Sequence, residues 1–485
     1  MTRSSALFLL SITSLVSTAQ TFHPSIPKAW DDSETTSFEL PLAQADRSPR
    51  YPSAKEYYAL PVRPVYRTYP VYSPDKEPAG YWQSLQQKEP EIVFNPERLA
   101  TKDDWIRAGE LVFDQPIVIS PPTPRQRYLD ELRAVSPPLT PEGIVPGAFY
   151  LVRKQGVVEL GFGSCAECHT RVMPDGTGVK GAQGNAPTAG FNAWLQISRG
   201  SGPDQVRALR ERKRALTFTP WAPNQDAWDE ITFEEIVRRL QAMPPGVTDR
   251  EGTSLKHPVK VPSLIGIRDI RYLDATGLSR NRNIADIMRY AIVNQSLISM
   301  ARYGDYFPGR QPEPGNTRYS DEQLYALALY LYSLVPPTNH NPFDDQAKRG
   351  QLTFNQQGCS GCHPAPLYTN NKLTPVRGFT VPDALWKTDA ILNVSVATDP
   401  GLALETRRGT GFYKVPSLRG VWMRNVFGHE GQAASLEEWF DPARLNADYV
   451  PKGFHLAPGP IPGHEFGIKL PAADRRALIA FLKTL

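Results

Sequence analysis

All four cysteines of the chain lie in two copies of one short pattern. The first copy reads GFGSCAECHTRVMPDG over residues 161–176, and the second reads GCSGCHPAPLYTN over residues 358–370. In each copy, two cysteines three positions apart are followed directly by a histidine. Such a pair could be half of a zinc site, a redox-active dithiol or an attachment point for haem. No cysteine is left over for a disulfide.

The histidine distinguishes these chemistries. Two thiols at this spacing can form thioethers with the two vinyl groups of haem, and the adjacent imidazole can then bind the iron. A four-cysteine zinc site needs no histidine at this position. The pattern therefore predicts two covalently bound haem c groups, with the histidines as proximal iron ligands. The predicted attachment residues are Cys165, Cys168 and His169 in the first motif and Cys359, Cys362 and His363 in the second.

The first haem has no obvious distal ligand in the sequence. No histidine occurs between His169 and His257, and Met173 follows His169 too closely to reach the opposite face of the same ring. An iron with one protein ligand can bind a small oxidant, whereas an iron with two strong ligands mainly transfers electrons. We therefore expect the first haem to be open, or closed only by water, and to bind hydrogen peroxide or dioxygen. His257 is expected at the surface, with a role as distal ligand as the alternative.

The second haem has more candidates, because His429, His455 and His464 all follow its motif. A structural role for all three stays open, since histidines in loops often bind nothing. His23 and His340 are expected at the surface.

Length and composition limit what surrounds the motifs. A chain of 485 residues can form two or three domains, and a formal charge of +4 implies no nucleic-acid partner. Arg3, an apolar run over residues 6–16 and small residues at 17–19 predict a signal peptide over residues 1–19, with an uncleaved anchor as the alternative. Because bacterial haem c is attached outside the cytoplasm, we expect a periplasmic or secreted protein without a membrane span in its mature form.

Residues 20–100 are rich in proline and tyrosine and show neither helical nor strand periodicity. They are predicted to form an irregular extension over the globular body, with a disordered leader as the alternative. The 47 prolines of the chain indicate long loops between helices throughout.

Beyond residue 100 the sequence repeats itself with a long period. RAGELVF at 107–113 matches KRGQLTF at 348–354, and KVPSLIGIRDIRYLDATG at 260–277 matches KVPSLRGVWMRNVFGHEG at 414–431. Amphipathic helices are predicted at 321–334 and 473–485. The predicted fold is mainly α, with a first cytochrome c-like haem domain over residues 101–340 and a second over 341–485. An insertion of roughly 47 residues before the first motif has no assignment from sequence.

The order of these elements and the repeated VPSL segment resemble the bacterial di-haem cytochrome c peroxidase and MauG superfamily over about residues 100–485, and the second half is the closer match. KVPSLRGVWMRNVFGHEGQAASLEEWF is similar to that family's FKVPTLRN, FHDG and TLEE segments. The resemblance implies one haem that binds an oxidant and a second that relays electrons. The family's usual methionine or tyrosine ligand of the second haem falls at Ala443, so another residue must replace it. His464, on a loop before the last helix, is our first choice, followed by His429 and His455.

The first half departs from the peroxidase pattern of this family. The repeat places Ala275 opposite His429, Leu273 stands where the peroxidases have tryptophan, and no NPxEM-like glutamate follows. Peroxide cleavage needs a group that moves a proton between the two oxygens, and only Asp274 or Asp286 is nearby. Together with CHTRVMPDG and GAQGN around the first motif and GHEFG near the end, these departures resemble the rubber oxygenase branch of the superfamily. That resemblance implies a second haem held by two histidines, and dioxygen bound at the first haem in an apolar pocket. The residues that could line it are Tyr272, Leu273, Ile287, Met288, Tyr290 and Ala291, with ordinary core packing as the alternative.

Other features of the family can be tested by position. Lys260 stands where the peroxidases have an asparagine that binds calcium, so calcium is not expected and the ammonium group could take its place. Trp194, Trp221, Trp228 and Trp422 could bridge the haems, with Trp422 the first choice. The expected partners are a small oxidant and an electron-donor cytochrome or an apolar organic substrate. An electron carrier without catalysis and a haem-based sensor or structural module are the competing function classes.

Overall fold

The computed structural model describes residues 21–119, 125–223, 228, 230–294, 300–308 and 317–485. The predicted signal peptide lies outside these residues. Helices account for 37% of the chain and strands for 13%, which agrees with a mainly α prediction. Within the described ranges, no helix is both long enough and apolar enough to cross a membrane.

The N-terminal segment contains more regular structure than its sequence indicated. Its elements are α1 (Asp32–Phe38), β1 (Pro49–Arg50), α2 (Ala54–Ala59), β2 (Thr68–Tyr72) and α3 (Tyr81–Gln86). These elements are too short to produce a visible hydrophobic period, which explains why the segment looked irregular. α2 begins with a capping box, in which Ser53 and Glu56 each bind the other's backbone N–H.

The first half is built from the following helices and strands: α4 (Lys102–Asp114), β3 (Val118–Ile119), α5 (Arg125–Val135), β4 (Ile144–Lys154), β5 (Val157–Phe162), α6 (Cys165–Cys168), β6 (Thr170–Val172), β7 (Gly178–Lys180), α7 (Thr188–Arg199), α8 (Pro203–Thr217), α9 (Phe233–Gln241), β8 (Val247–Thr248), β9 (Val259–Lys260), β10 (Tyr272–Leu273), β11 (Ser279–Arg280), α10 (Ile284–Ile292), β12 (Arg302–Tyr303) and α11 (Asp321–Ser333). The insertion before the first motif supplies β3, α5, β4 and β5. Together with β2 of the N-terminal segment these strands form an antiparallel sheet in the order β2-β4-β5-β3.

The second half repeats the helical part in a shorter form. Its elements are α12 (Asp345–Gln356), α13 (Cys359–Cys362), β13 (Leu373–Pro375), α14 (Asp383–Thr388), α15 (Gly401–Leu404), β14 (Phe412–Lys414), α16 (Leu436–Trp439) and α17 (Ala472–Lys483). Each half therefore carries its CxxCH motif directly after an opening helix or the inserted sheet.

The opening and closing helices cross in the same way in both halves. α4 packs on α11, and α12 packs on α17. At the crossing, a side chain at Gly109 would collide with the carbonyl oxygen of Ala326, and one at Gly350 would collide with that of Ala477. Glycine is needed at both positions because the helix backbones touch. The repeat found in the sequence thus corresponds to one repeated packing arrangement.

The two halves face each other across an approximate two-fold relation. The backbone N–H of Lys260 donates to the carbonyl of His429 at 3.0 Å, and the N–H of Lys414 donates to the carbonyl of Ala275 at 3.0 Å. In the repeat, Lys260 is equivalent to Lys414 and Ala275 is equivalent to His429, so each half makes the same hydrogen bond to the other. A buried ion pair between Arg280 and Asp389, at 2.8 Å, adds to the contact. The two VPSL loops consequently lie side by side at the centre of the molecule.

Candidate functional site

Both CxxCH motifs form one helical turn that ends at the histidine. Nδ1 of His169 lies 3.0 Å from the carbonyl oxygen of Pro262, and Nδ1 of His363 lies 3.0 Å from that of Tyr368. A carbonyl oxygen can only accept a hydrogen bond, so Nδ1 carries the proton in both rings. Nε2 of each imidazole is therefore left with a free lone pair, the form in which histidine binds a metal. Burial favours this neutral form, because it lowers the pKa of His169 to about 4.

A large cavity opens above the second motif. It encloses about 1940 Å³ of space between protein atoms, part of it open to solvent. His363, both cysteines of the motif and His464 line it. The ring centres of His363 and His464 are 6.5 Å apart. Two metal–nitrogen bonds of about 2 Å each, with ~1.1 Å from each nitrogen to its ring centre, span about 6.2 Å. This separation fits an iron held between the two imidazoles.

The loop that carries His464 is held by a fully buried arginine. Arg444 donates to the carbonyl oxygens of Ile461, Gly463 at 2.9 Å and His464 at 3.2 Å. Its Nε donates to the carbonyl of Trp439 at 2.7 Å. Arg444 follows Ala443, the position where the resemblance would place a methionine or tyrosine ligand. The segment around Ala443 thus supplies no iron ligand itself. Through Arg444 it positions His464, from a later loop, as the ligand.

The backbone of this loop also requires glycine. Gly463 has φ +73°, and a side chain there would collide with the backbone of Ala397 and Thr398. His464 itself has φ +48°, and its N–H donates to the carbonyl of Val396 at 2.7 Å. Its Nδ1 is buried and has no hydrogen-bond partner among the described residues. Burial lowers the pKa of His464 to about 4, so the ring is neutral and able to bind a metal.

Three cations that line the same cavity have no carboxylate partner among the residues that the structure describes. They are Lys260 and Lys414, one from each VPSL loop, and Arg424. Burial lowers the pKa of Lys260 to about 7 and that of Lys414 to about 8. Buried cations are normally paired with anions. The two propionate groups of a haem would supply such anions, so the cavity fits haem in its charges as well as in the spacing of its two imidazoles.

The other two candidate ligands of the second haem have different surroundings. His429 also lines the cavity, but its ring stacks on Tyr413 with the ring centres 4.1 Å apart. His455 does not line it, and its Nδ1 donates to the carbonyl of Gly453 at 2.9 Å. His464 therefore remains the first choice as distal ligand.

The expectation that His257 lies at the surface is wrong. Only 8% of the residue is exposed, and its Nδ1 lies 2.8 Å from a carboxylate oxygen of Glu430, with Glu405 3.6 Å from its Nε2. His257, Asp399 and Glu430 form a group with suitable ligand atoms for a metal ion. The two carboxylates of Glu430 and Glu405 already provide partners for the imidazole, and they raise its pKa to about 10 against the effect of burial. The group joins the two halves as a buried ion-pair cluster. His23 and His340 are exposed, as predicted.

Most of the proposed lining residues of the first haem lie in the same apolar cluster as its motif. Leu273, Ile287, Met288, Tyr290 and Ala291 belong to the apolar cluster that contains Cys165 and Ala166. Tyr272 does not belong to this set. It packs instead with Leu373 and Phe412, and its hydroxyl binds Asp389 at 3.1 Å. Alternation along β10 explains the difference, because Tyr272 and Leu273 point to opposite sides.

The two aspartates predicted as proton carriers are held as anions. Asp286 pairs with Arg282 at 2.8 Å and Arg289 at 2.7 Å. Asp274 pairs with Arg408 and Arg250 and accepts a hydrogen bond from Tyr290. These cations, Arg408 first, outweigh burial and lower the pKa of Asp274 to about 2. Neither carboxyl is suited to carry a proton near neutral pH.

The tryptophan nearest the second site is one that sequence analysis missed. Trp439 lines the cavity, and its ring centre is 5.7 Å from that of His464. Trp422, the first choice from sequence, lies between the buried residues Val421 and Met423 but is itself only partly buried. The position of Trp439 in the EEWF segment, after the family-like FGHEG, was the available signal.

Comparisons with known proteins give one sequence match. No family model matches the chain. It is 27% identical over 160 residues to the cytochrome c551 peroxidase of Pseudomonas aeruginosa, a match that covers 30% of this chain and 43% of that protein. The matched part thus spans less than half of the relative's length. The match relates this part of the chain to the cytochrome c peroxidases.

A comparison with solved structures finds two weak similarities. The diheme peroxidase BthA from Burkholderia thailandensis has a TM-score of 0.27 at 18% identity, covering 59% of this chain and 86% of that one. The hydrazine synthase of Kuenenia stuttgartiensis has a TM-score of 0.30 at 12% identity, covering 60% of this chain and 91% of that one. Structural similarity at this level does not indicate a shared fold or function.

Proposed function

We propose that this protein is a di-haem c-type oxidoreductase, exported from the cytoplasm, in which the first haem reacts with a small oxidant and the second transfers electrons. The single observation that carries the proposal is the asymmetry of the two motifs. His363 has His464 opposite it at 6.5 Å between ring centres. The partial match to a cytochrome c551 peroxidase supports the oxidoreductase class.

The histidines of the chain support an open first haem. All eight lie in the described residues, and each of the six outside the motifs has another position. His464 faces the second motif, His257 and His429 lie with Glu430 and Tyr413, His455 binds its own loop, and two are exposed. None is left to face His169. The first iron would then have a free coordination position, and haem iron of this kind binds and activates oxidants.

The residues of the chain have distinct roles in this proposal. His169 and His363 orient the two haems through hydrogen bonds from Nδ1 to backbone carbonyls. Lys260, Lys414 and Arg424 balance the negative charge of propionates at the centre of the molecule. Leu273, Met288 and their neighbours exclude water from the first haem. Trp439 extends an aromatic contact from His464 towards the edge of the cavity.

Hydrogen peroxide is the first oxidant to consider, because the sequence match is to a peroxidase. Dioxygen, with an apolar organic substrate, is the second candidate. It is favoured by Leu273 in place of tryptophan and by the apolar cluster around Cys165, as in the rubber oxygenase branch that the sequence resembles. Oxidation of a reduced donor by peroxide at enzymatic rates, well above those of free haem, would favour the first; consumption of dioxygen with a polyisoprenoid would favour the second.

A pure electron carrier is the competing class, and one observation favours it. Met288 and Met300 belong to the same apolar cluster as Cys165, and a methionine thioether is a known haem ligand. A methionine ligand would close that iron. Binding of carbon monoxide to the reduced protein separates the two classes. We expect one molecule per chain, and binding of none would support the carrier.

The haem content is tested independently by mass. The purified protein should exceed its polypeptide mass by two haems, on the order of 1.2 kDa. A double variant, Cys165→Ala with Cys168→Ala, should keep one haem and lose carbon monoxide binding. Retention of both haems in this variant would overturn the attachment sites.

A further inference from the structure

The N-terminal segment enters the first half beside the residues that follow its VPSL loop. The N–H of Leu40 donates to the carbonyl of Leu278 at 2.7 Å, and the N–H of Ala43 donates to that of Gly409 at 2.8 Å. Glu39 lies opposite Ser279 in an isolated bridge. Residues 39–43 are thus held between β11 of the first half and a loop of the second half. The side chain of Glu39 therefore lies where the N-terminal segment, β11 and the loop of the second half meet.

The hydroxyl groups of Tyr51 and Ser279 lie close to the carboxyl of Glu39. Tyr51 donates to it, with its hydroxyl 3.1 Å from both carboxylate oxygens. Both side chains lie deep in the protein, although each residue keeps part of its surface accessible to solvent. The other charged or titratable groups that face Glu39 are Arg408, Asp274 and Tyr303. Burial outweighs Arg408 and raises the pKa of Glu39 to about 7.

The charge of a buried arginine with an unused N–H also acts on this carboxyl. Arg408 is 3% exposed and pairs with Asp274, but its Nη1 has no hydrogen-bond partner among the described residues. Asp274 is held in a left-handed backbone conformation, φ +62°, and also binds Arg250 at 3.3 Å and Tyr290 at 2.7 Å. An unpartnered guanidinium N–H this deep in the protein is costly unless a ligand uses it.

The group adjoins the first haem motif. Tyr51 and Tyr290 pack in the apolar cluster that contains Cys165 and Ala166. Arg250, which binds Asp274, is close enough to His169 that its charge adds to the effect of burial on that ring. None of these residues lines the cavity of the second motif. The group therefore belongs to the side of the molecule where the oxidant would bind.

We propose that Glu39, supplied by the N-terminal segment, is the proton acceptor and donor of the first haem site, and that Arg408 binds the anion formed there. This rests on the proposed function. Hydrogen peroxide would give one proton to Glu39 and take it back on its outer oxygen, which leaves as water when the O–O bond breaks. The two electrons that this cleavage consumes come from the haem site and are replaced by the electron donor. Glu39 would thus do the work of the glutamate that the sequence of the first half lacks.

Hydrogen cyanide is a suitable probe, because it must lose its proton to bind ferric haem as the anion. In the native protein we expect the rate of cyanide binding to rise with pH through about 7, as Glu39 becomes deprotonated. Glu39→Gln keeps the shape of the side chain and should bind cyanide about tenfold or more slowly, without that rise. Glu34→Gln, which removes an exposed glutamate of the same segment, should behave as the native protein.

Two further outcomes separate the proposals. If the native protein binds no cyanide at the first haem, the open haem itself is wrong. If it binds cyanide and Glu39→Gln binds it at the same rate with the same pH profile, the role of Glu39 is wrong while the open haem stands. An infrared titration gives a readout that needs no ligand. The native protein should show a carboxylic acid band that disappears near pH 7, and the absence of any band removed by Glu39→Gln would also overturn the proposal.

Discussion

His257 illustrates how one residue can join the halves of this molecule. Its imidazole lies between Glu430 and Glu405, both from the second half, although it belongs to the loop before the first VPSL segment. In the sequence His257 stands beside a proline, a pattern typical of surface loops. Its burial depends on residues more than 140 positions away, which no local pattern can reveal.

Removing His257 should destabilise the protein in a pH-dependent way. His257→Gln leaves buried carboxylates without their cation, and we expect a loss of about 3 kcal/mol in the free energy of unfolding. The folded pKa of about 10 lies above the ordinary value, so this contribution is present below about pH 6.5 and is lost as the pH rises towards 10. Urea unfolding of both proteins at about pH 6 and about pH 10 measures the difference.

The control for this measurement is His340→Gln, because His340 is exposed. An equal loss at both pH values would contradict the ion-pair account. A stoichiometric metal ion in the native protein, absent from His257→Gln, would show that His257, Asp399 and Glu430 hold a metal instead.

At the scale of elements, the loop over residues 461–464 depends on Arg444. Its guanidinium satisfies three carbonyls that would otherwise be buried without partners. Arg444→Met should therefore lower the free energy of unfolding by about 3 kcal/mol. It should also release His464 from the second haem in part of the molecules, seen as a growing high-spin absorption band. Arg476→Met, at an exposed position, is the matched control. A destabilised variant with an unchanged spectrum would show that other contacts hold the loop.

The helix crossings offer a second test at this scale. Gly109→Ala and Gly350→Ala each place a methyl group against a carbonyl oxygen of the closing helix. We expect each to cost about 1–3 kcal/mol, because neither backbone can move without separating the helices. Gly459→Ala meets no atom within 4 Å and should be neutral. Thermal unfolding measures all three. Neutral effects at the two crossings would mean that the helices do not touch there.

The repeat made these crossings and the two motifs predictable, because equivalent residues recur in the same order. The inserted sheet was not predictable, since β3 has two residues and β4 contains a bulge that interrupts its alternation. His464 could be selected from sequence only through the resemblance and the long segment after Ala443. Glu39 could not be selected at all, because its role depends on how an aperiodic segment packs against both halves.

In the whole molecule, the two halves are related by an approximate two-fold axis and share the same helix crossings, but their haem sites differ. Lys260 and Lys414 occupy equivalent positions of the two repeats where the halves meet. At another pair of equivalent positions, the second half has His429 and the first half has Ala275. The second half then adds His464 across from its motif, and the first half adds the N-terminal segment with Glu39. The second site thereby offers a histidine on each face of its haem, and the first site offers a histidine on one face and leaves the other face accessible.

Electron paramagnetic resonance of the oxidised protein tests this central claim most directly, because it distinguishes high-spin from low-spin ferric haem. We predict one high-spin and one low-spin signal of equal intensity in the native protein. His464→Ala should convert the low-spin signal to high spin, while His455→Ala, which alters a histidine outside the cavity, should leave both unchanged. Two low-spin signals in the native protein, or an unchanged low-spin signal in His464→Ala, would contradict the account.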